Sequence, residues 1–197
     1  GPMLAQIFAT FGLAVFLRSA AQALFGVDFH LVKNPLVHGR VEVAGVFIGV
    51  PQLVASAGAL LAFAFLYWFT TRTETGLALQ ATAQDRQAAA LMGIDTNRMF
   101  ALGWGLGAAC VGAAGALLTT FFYVFPDVGG SFALLAYVAV ALGGFGNVPA
   151  TLAGGVAVGV VEVLGGLLID PTLKYVVVFA LYLAVVLWRP QGLFGRF

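Results

Sequence analysis

Long apolar blocks separated by short polar stretches run the length of this chain. Six blocks stand out, at residues 4–24, 52–70, 99–122, 131–144, 150–168 and 174–188. A helix needs about 20 residues to cross the hydrocarbon core of a bilayer. The pattern therefore predicts an all-α fold, a polytopic integral membrane helical bundle with about six apolar segments. The fourth block is short, because a helix of about 14 residues covers about 21 Å, less than the roughly 30 Å of the core.

Polar positions gather at 25–51 and 71–98. In the first stretch Asn34-Pro35 and Gly39 are turn formers, and the Val-rich, partly alternating run from Arg40 to Val50 predicts a short strand or hairpin. In the second, strong helix formers fill Gly76 to Met92. Gly93 stands where glycine is favoured just past a helix, and Ile94 is the hydrophobic residue expected after such a stop. Asp95 or Thr96 is placed to cap the next helix. The spacing predicts one or two short surface helices, with Ala88, Leu91 and Met92 sharing a face and Gln84, Asp85 and Arg86 supplying the polar remainder.

Composition agrees with the blocks. Of the 197 residues, 61% are hydrophobic and 9% charged, and mean hydropathy is +1.02. A soluble domain carries about 25% charged residues to solvate its surface, so a soluble enzyme is excluded as a first reading and membrane lipid is an obligatory partner. A net charge of +1 offers no footprint for nucleic acid. Cys110 lies alone in an apolar run and reads as a small buried hydrophobe, with no disulfide or thiolate metal site within one chain. His30 and His38 are isolated, which argues against a metal, and no nucleophile motif or phosphate loop is present. The chain is expected to be no enzyme and to hold no cofactor or ATP of its own. Gly1-Pro2-Met3 leads straight into the first block with no basic region or cleavage site, so no signal peptide is expected.

Lys and Arg mark the cytoplasmic side. Arg72, Arg86 and Arg98 lie in 71–98, Arg189 and Arg196 in the C-terminal tail, and none in 123–130. Lys33, Arg40 and Lys174 dilute the bias. Both basic regions fall on one side only if the short fourth block also crosses.

That block is preceded by Phe125 to Gly130 and followed by Gly143 to Pro149. Irregular backbone at membrane depth must be buried in protein or line a wet cavity, and interrupted short helices point to substrate paths in transporters. Pro126, Gly129, Gly130, Gly143, Gly144 and Gly146 are accordingly candidate pathway or gate residues, with ordinary interfacial turns as an equal alternative. Glu162 sits inside an apolar block, where a carboxylate costs about 2.5–3.5 kcal/mol on insertion scales and needs a partner. It reads first as a hydrogen-bonded bundle carboxylate and second as a pathway group. Arg18 reads as a side chain snorkelling to the interface. The GxxxG pairs Gly103/Gly107 and Gly155/Gly159 read as helix-packing positions.

Gln87-Ala88-Ala89 followed by Gly93 matches the EAA-xxx-G core of the cytoplasmic loop of ABC-importer permeases, with Gln for the leading Glu. More specifically, ALQATAQDRQAAALMGID resembles the corresponding loop of branched-chain amino-acid ABC transporter permeases of the H type. The stretches VAVALGGFGNVPATLAGG at 138–155, GVVEVLGG at 159–166 and RPQGLFG at 189–195 are similar to the same family. The resemblance implies a permease of the ABC-importer type that pairs with a second permease subunit, sits on two ABC ATPase subunits and receives substrate from an extracytoplasmic substrate-binding protein, with ATP held by the partners. It implies that Asp85, Arg86, Gln87, Ala88, Ala89, Gly93 and Ile94 belong to an ATPase-coupling loop. Residues 1–197 are then one transmembrane permease domain, corresponding to the C-terminal two-thirds of family members, with 25–51 extracytoplasmic and 71–98 cytoplasmic. The implied cargo is a branched-chain or related hydrophobic amino acid, carried across the bacterial or archaeal cytoplasmic membrane. Alternatives are a urea or short-amide permease of the same family, or an ATP-independent channel or secondary transporter. Loop 25–51 is a solvated connector or, as a weaker reading, a contact for the binding protein through residues such as Lys33 and Arg40.

Overall fold

A computed structural model describes residues 2–30, 39–43, 46–171, 173–189 and 191–193. Among these the chain forms eight helices and one hairpin: α1 (Pro2–Phe25), β1 (Arg40–Val43), β2 (Val46–Gly49), α2 (Val50–Arg72), α3 (Glu74–Gln84), α4 (Arg86–Leu91), α5 (Thr96–Leu118), α6 (Val128–Gly143), α7 (Val148–Leu168) and α8 (Lys174–Trp188). Each apolar block of the sequence is a helix. Strands β1 and β2 pair antiparallel with Arg40 opposite Gly49, as the Val-rich run predicts. The expectations at Lys33, Asn34-Pro35, His38 and Arg196 lie outside the described residues. The hairpin leads directly into α2, where the Val50 amide donates to the Gly39 carbonyl (3.1 Å) and Pro51 lies in the first turn.

The four helices α1, α2, α5 and α7 are long and apolar enough to cross a membrane, and α6 and α8 are shorter. At 16 residues, α6 spans about 24 Å, still short of the core. The 15-residue α8 is as short, so the fourth block is not unusual in this respect. Block 99–122 is cut back at its end: α5 stops at Leu118, and residues 119–122 form a turn in which the Phe121 and Phe122 amides donate to the Leu118 carbonyl.

The core lies among α6, α7 and α8, where Val138, Leu142, Val158 and Val178 are buried against one another. In lipid the hydrophobic effect gives little reason for apolar helices to associate, so close backbone approach and van der Waals contact must hold them. Gly143 and Gly154 provide that approach, because a Cβ on Gly154 would strike the Ala139 carbonyl and one on Gly143 the Ala150 carbonyl. The Leu193 amide donates to the Leu142 carbonyl (2.7 Å). This ties the chain after α8 to the end of α6, so α6 and α8 run parallel with α7 antiparallel between them. Gly58 of α2 meets Leu117 of α5 in a second, antiparallel contact.

Short connections then place 73–95, 144–147, 189 and 191–193 at one end of the bundle, and 26–30, the hairpin, 119–127, 169–171 and 173 at the other. The arrangement matches the parity required of the four helices after residue 98. Arg72, Arg86, Arg98 and Arg189 share the first end. At the second, Arg18 pairs with Asp127 (2.5 Å) and Lys174 with Glu162 (2.8 Å). Arg18 therefore does not merely snorkel, as the sequence predicts; it finds a carboxylate on the chain before α6.

Helix α1 is nearly free of the rest. From Leu4 to Ser19 every residue is exposed. Its attachments cluster at its end: the Arg18 pair, the antiparallel bridge of His30 to Val124, and Phe29 packed on Phe125 (4.9 Å between ring centroids). Within this chain the GxxxG glycines meet few neighbours. A Cβ added at Gly107, Gly155 or Gly159 would have nothing within 4 Å, and one at Gly103 would meet Leu79 alone. Glycines that do pack closely include Gly58, Gly76, Gly143, Gly154, Gly165 and Gly192. Cys110 is half-buried rather than buried, with a free thiol.

Candidate functional site

The polar segment between α2 and α5 is built from a series of tightly capped turns. Thr73 is extended (φ −103°, ψ 146°) and serves two helices: its hydroxyl donates to the Phe69 carbonyl of α2 (2.7 Å) and accepts from the Gly76 amide of α3 (3.0 Å). Asp85, also extended, breaks the run of helix formers into α3 and α4, and its carboxylate accepts from the Gln87 (2.8 Å) and Ala88 (3.0 Å) amides. Two helices rather than one result, because a charged cap satisfying two orphan amides stabilises a new N-terminus by about 1 kcal/mol.

The stop is as the residues predict. Gly93 adopts φ +82°, a conformation costly for side chains other than glycine. Its amide donates to Ala90 (3.0 Å) and that of Ile94 to Ala89 (3.1 Å), the paired pattern that closes a helix end. Asp95 then caps α5, accepting from the Asn97 and Arg98 amides at 3.1 Å. Of the two expected candidates, Asp95 makes the cap, and Thr96 is buried.

Ala88, Leu91 and Met92 share a face of α4, as the spacing predicts. Ala89 is the buried residue, while Ala88, Leu91 and Met92 point outward, Leu91 being 88% and Met92 82% exposed. Gln87 is exposed and Ile94 half-buried. Arg86, exposed like its neighbours, reaches across the surface to α5. Its Nη2 donates to Asn97 Oδ1 (3.1 Å) and its guanidinium lies 5.2 Å from the centroid of Phe100. Asp85, Arg86, Gln87, Ala88, Ala89, Gly93 and Ile94 thus lie on one short, capped element, exposed except at Ala89, which is buried, and Ile94, which is half-buried.

The pathway candidates are not brought together. Gly143 and Gly144 are buried at the 73–95 end, Gly144 at φ +108° as the cap of α6, and Gly146 is exposed nearby at φ +82°. Pro126, Gly129 and Gly130 lie at the opposite end of α6. The sequence predicts irregular backbone through Gly130, but α6 begins at Val128 and its first turn contains both glycines. Asp127 offers no side-chain cap there, since its carboxylate is taken by Arg18. Gly129 lines a cleft of about 380 Å³ between α5 and α6, walled by Val111, Gly115, Leu118, Phe132 and Ala133. Such a lining accommodates aliphatic groups and offers almost nothing to a charge.

Glu162, in the half of α7 nearer the hairpin end, accepts from Lys174 Nζ and is half-buried. The partner required by its depth is supplied by the first residue of α8. Among the described residues no group of three metal-ligating side chains converges. Sequence reasoning missed Lys174, Asn97 and Phe100. The nearest signal was the placement of Lys174 about three turns of chain beyond Glu162, across a Pro-containing loop.

Residues 4–186 match the family described as branched-chain amino acid transport system / permease component. The chain belongs to this family. It is 31% identical over 203 residues to the high-affinity branched-chain amino acid transport system permease protein BraD of Pseudomonas aeruginosa. It is 32% identical over 198 residues to the permease protein LivH of the corresponding system in Escherichia coli K12. The matches cover 100% and 98% of this permease-family chain, and 66% and 64% of the relatives. The chain therefore spans just under two-thirds of the length of the curated relatives it matches. A 99-residue stretch is 31% identical to a probable branched-chain amino acid transport permease protein of Methanocaldococcus jannaschii. No solved structure matches. As a member of this permease family, with four helices long and apolar enough to cross a bilayer, the chain is an integral membrane protein.

Proposed function

We propose that this chain is the body of a permease subunit of an ATP-binding-cassette importer in the cytoplasmic membrane, carrying branched-chain or related hydrophobic amino acids. In this reading the 73–95 end faces the cytoplasm and docks on one of two ABC ATPase subunits. A second permease subunit completes the membrane body, and a binding protein delivers substrate at the hairpin end. ATP is bound and hydrolysed by the ATPases. The observation that carries the reading is α4: a one-turn-and-a-half helix, capped at both ends, whose exposed apolar residues Leu91 and Met92 stand beside Gln87 and Gly93. An exposed apolar patch on a rigid element suits a protein contact. Membership of the permease family supports the same assignment. The pairing of Glu162 with Lys174 favours a packing role for that carboxylate over proton coupling in a secondary transporter.

The test is retention of the ATPase pair on the full-length permease, compared with Gly93→Pro. Proline is held near φ −65° and cannot adopt the +82° of Gly93, so the stop of α4 is lost and ATPase retention should fall. A mutant that binds the ATPases as well as the parent would refute the docking assignment. Uptake of leucine against urea by the assembled importer decides the cargo, and uptake without ATPases would return the protein to the channel or secondary-transporter class.

A further inference from the structure

We infer that Arg86 is a positioning residue that makes α4 and α5 move as one body, so that a displacement of α4 is delivered to the α5–α6 cleft. The inference rests on the reading of α4 as the ATPase-docking helix. Helix α4 is six residues long and is entered through the extended residue Asp85 and left through Gly93 and Ile94. At its C-terminal end the chain itself joins it to α5, with Asp95 capping that helix. A short rod fastened at one end pivots; fastened at both it transmits rotation. At the opposite end the chain joins α4 to α3, which itself packs on α5, and Arg86 adds there a direct side-chain link from α4 to α5.

Its geometry suits a strut. One guanidinium N–H meets Asn97 Oδ1 (3.1 Å) while the group lies over Phe100 (5.2 Å to the ring centroid), so two residues on successive turns of α5 are engaged by one planar group. Planarity allows edge hydrogen bonding and face stacking together, which a lysine ammonium cannot reproduce. Gln87, the other polar residue of α4, is exposed, and the Asp85 carboxylate before it is spent on the cap. Beyond Phe100, α5 continues without a break to Leu118, and its far half, through Val111, Gly115 and Leu118, forms one wall of the cleft that α6 closes with Gly129 and Phe132. Tilting α5 at the Arg86 end therefore changes the width of that cleft at the other.

The experiment uses the assembled importer in proteoliposomes and reads three quantities: ATPase co-purification, binding-protein-stimulated ATP hydrolysis, and substrate taken up per ATP hydrolysed. Arg86→Gln should lower uptake per ATP at least about fivefold, the lower end of typical coupling between sites. Arg86→Lys, which keeps the charge over Phe100, should give an intermediate ratio. Asn97→Ala and Phe100→Ala, which leave α4 untouched, should each lower the ratio even if Arg86→Gln fails to assemble. An unchanged ratio in all the variants that assemble would overturn the strut while leaving docking by α4 intact. A parent importer that retains no ATPase would overturn the docking reading and the strut with it.

Discussion

Lys174 and Glu162 stand 2.8 Å apart, joining the first residue of α8 to the hairpin-end half of α7. Both are partly screened from the surroundings, so the pair lies between the exposed case, worth about 0–1 kcal/mol, and the buried one, where removing a single partner costs about 3–5 kcal/mol. Glu162→Ala should destabilise the folded bundle by about 1–2 kcal/mol, read as a lowered melting temperature in detergent. Lys174→Ala on the same background should add little, and the double-mutant cycle measures the pair. Glu162→Gln keeps an acceptor for the Lys174 ammonium and should recover part of the loss without altering uptake.

Gly154 and Gly155 are neighbours on α7 with opposite surroundings. A Cβ at Gly154 meets the backbone of Ala139 and Gly143, which cannot step aside, whereas one at Gly155 meets nothing within 4 Å. Gly154→Ala should cost about 1–3 kcal/mol through overpacking. Gly155→Ala should be neutral or stabilise the helix by up to about 1 kcal/mol. Thermal unfolding of the two variants side by side checks the crossing of α6 and α7.

Asp95 satisfies two amides at the start of α5. Asp95→Ala should cost about 1 kcal/mol, and hydrogen exchange should quicken at Asn97 and Arg98 while Gln87 and Ala88, capped by Asp85, stay protected. Asp95→Asn keeps an acceptor and should restore most of the protection.

Leu91 and Met92 carry little of the fold, being almost wholly exposed. Leu91→Glu and Met92→Glu should leave melting within about 0.5 kcal/mol of the parent yet reduce retention of the ATPase pair. Loss of stability in step with loss of binding would instead assign these side chains to the bundle.

Much of this architecture was legible because its determinants are local. Block length located the helices, the Val-rich run located the hairpin, and Gly93, Ile94 and Asp95 specified a stop and a start that the structure reproduces hydrogen bond by hydrogen bond. Packing was less legible. In a membrane protein the lipid-facing and protein-facing sides are both apolar, so Gly155 and Gly159 carry the same spacing signal as a contact pair while facing open space. On α4 the apolar spacing at Ala88, Leu91 and Met92 identified a shared face but not whether it is covered or exposed. Charge partners, Arg18 with Asp127 and Glu162 with Lys174, depend on which helix ends meet, and residue identity alone does not encode that.

The freedom of α1 has a consequence of its own. Its 24 residues make a rod of about 36 Å, longer than a typical hydrocarbon core, and such an excess is taken up by tilting. From Leu4 to Leu17 this chain offers nothing to set the angle, but Arg18 anchors the rod to Asp127 at the head of α6. The Arg18–Asp127 pair thus joins the end of α1 to the residue just before the first turn of α6, beside Gly129 at the rim of the cleft.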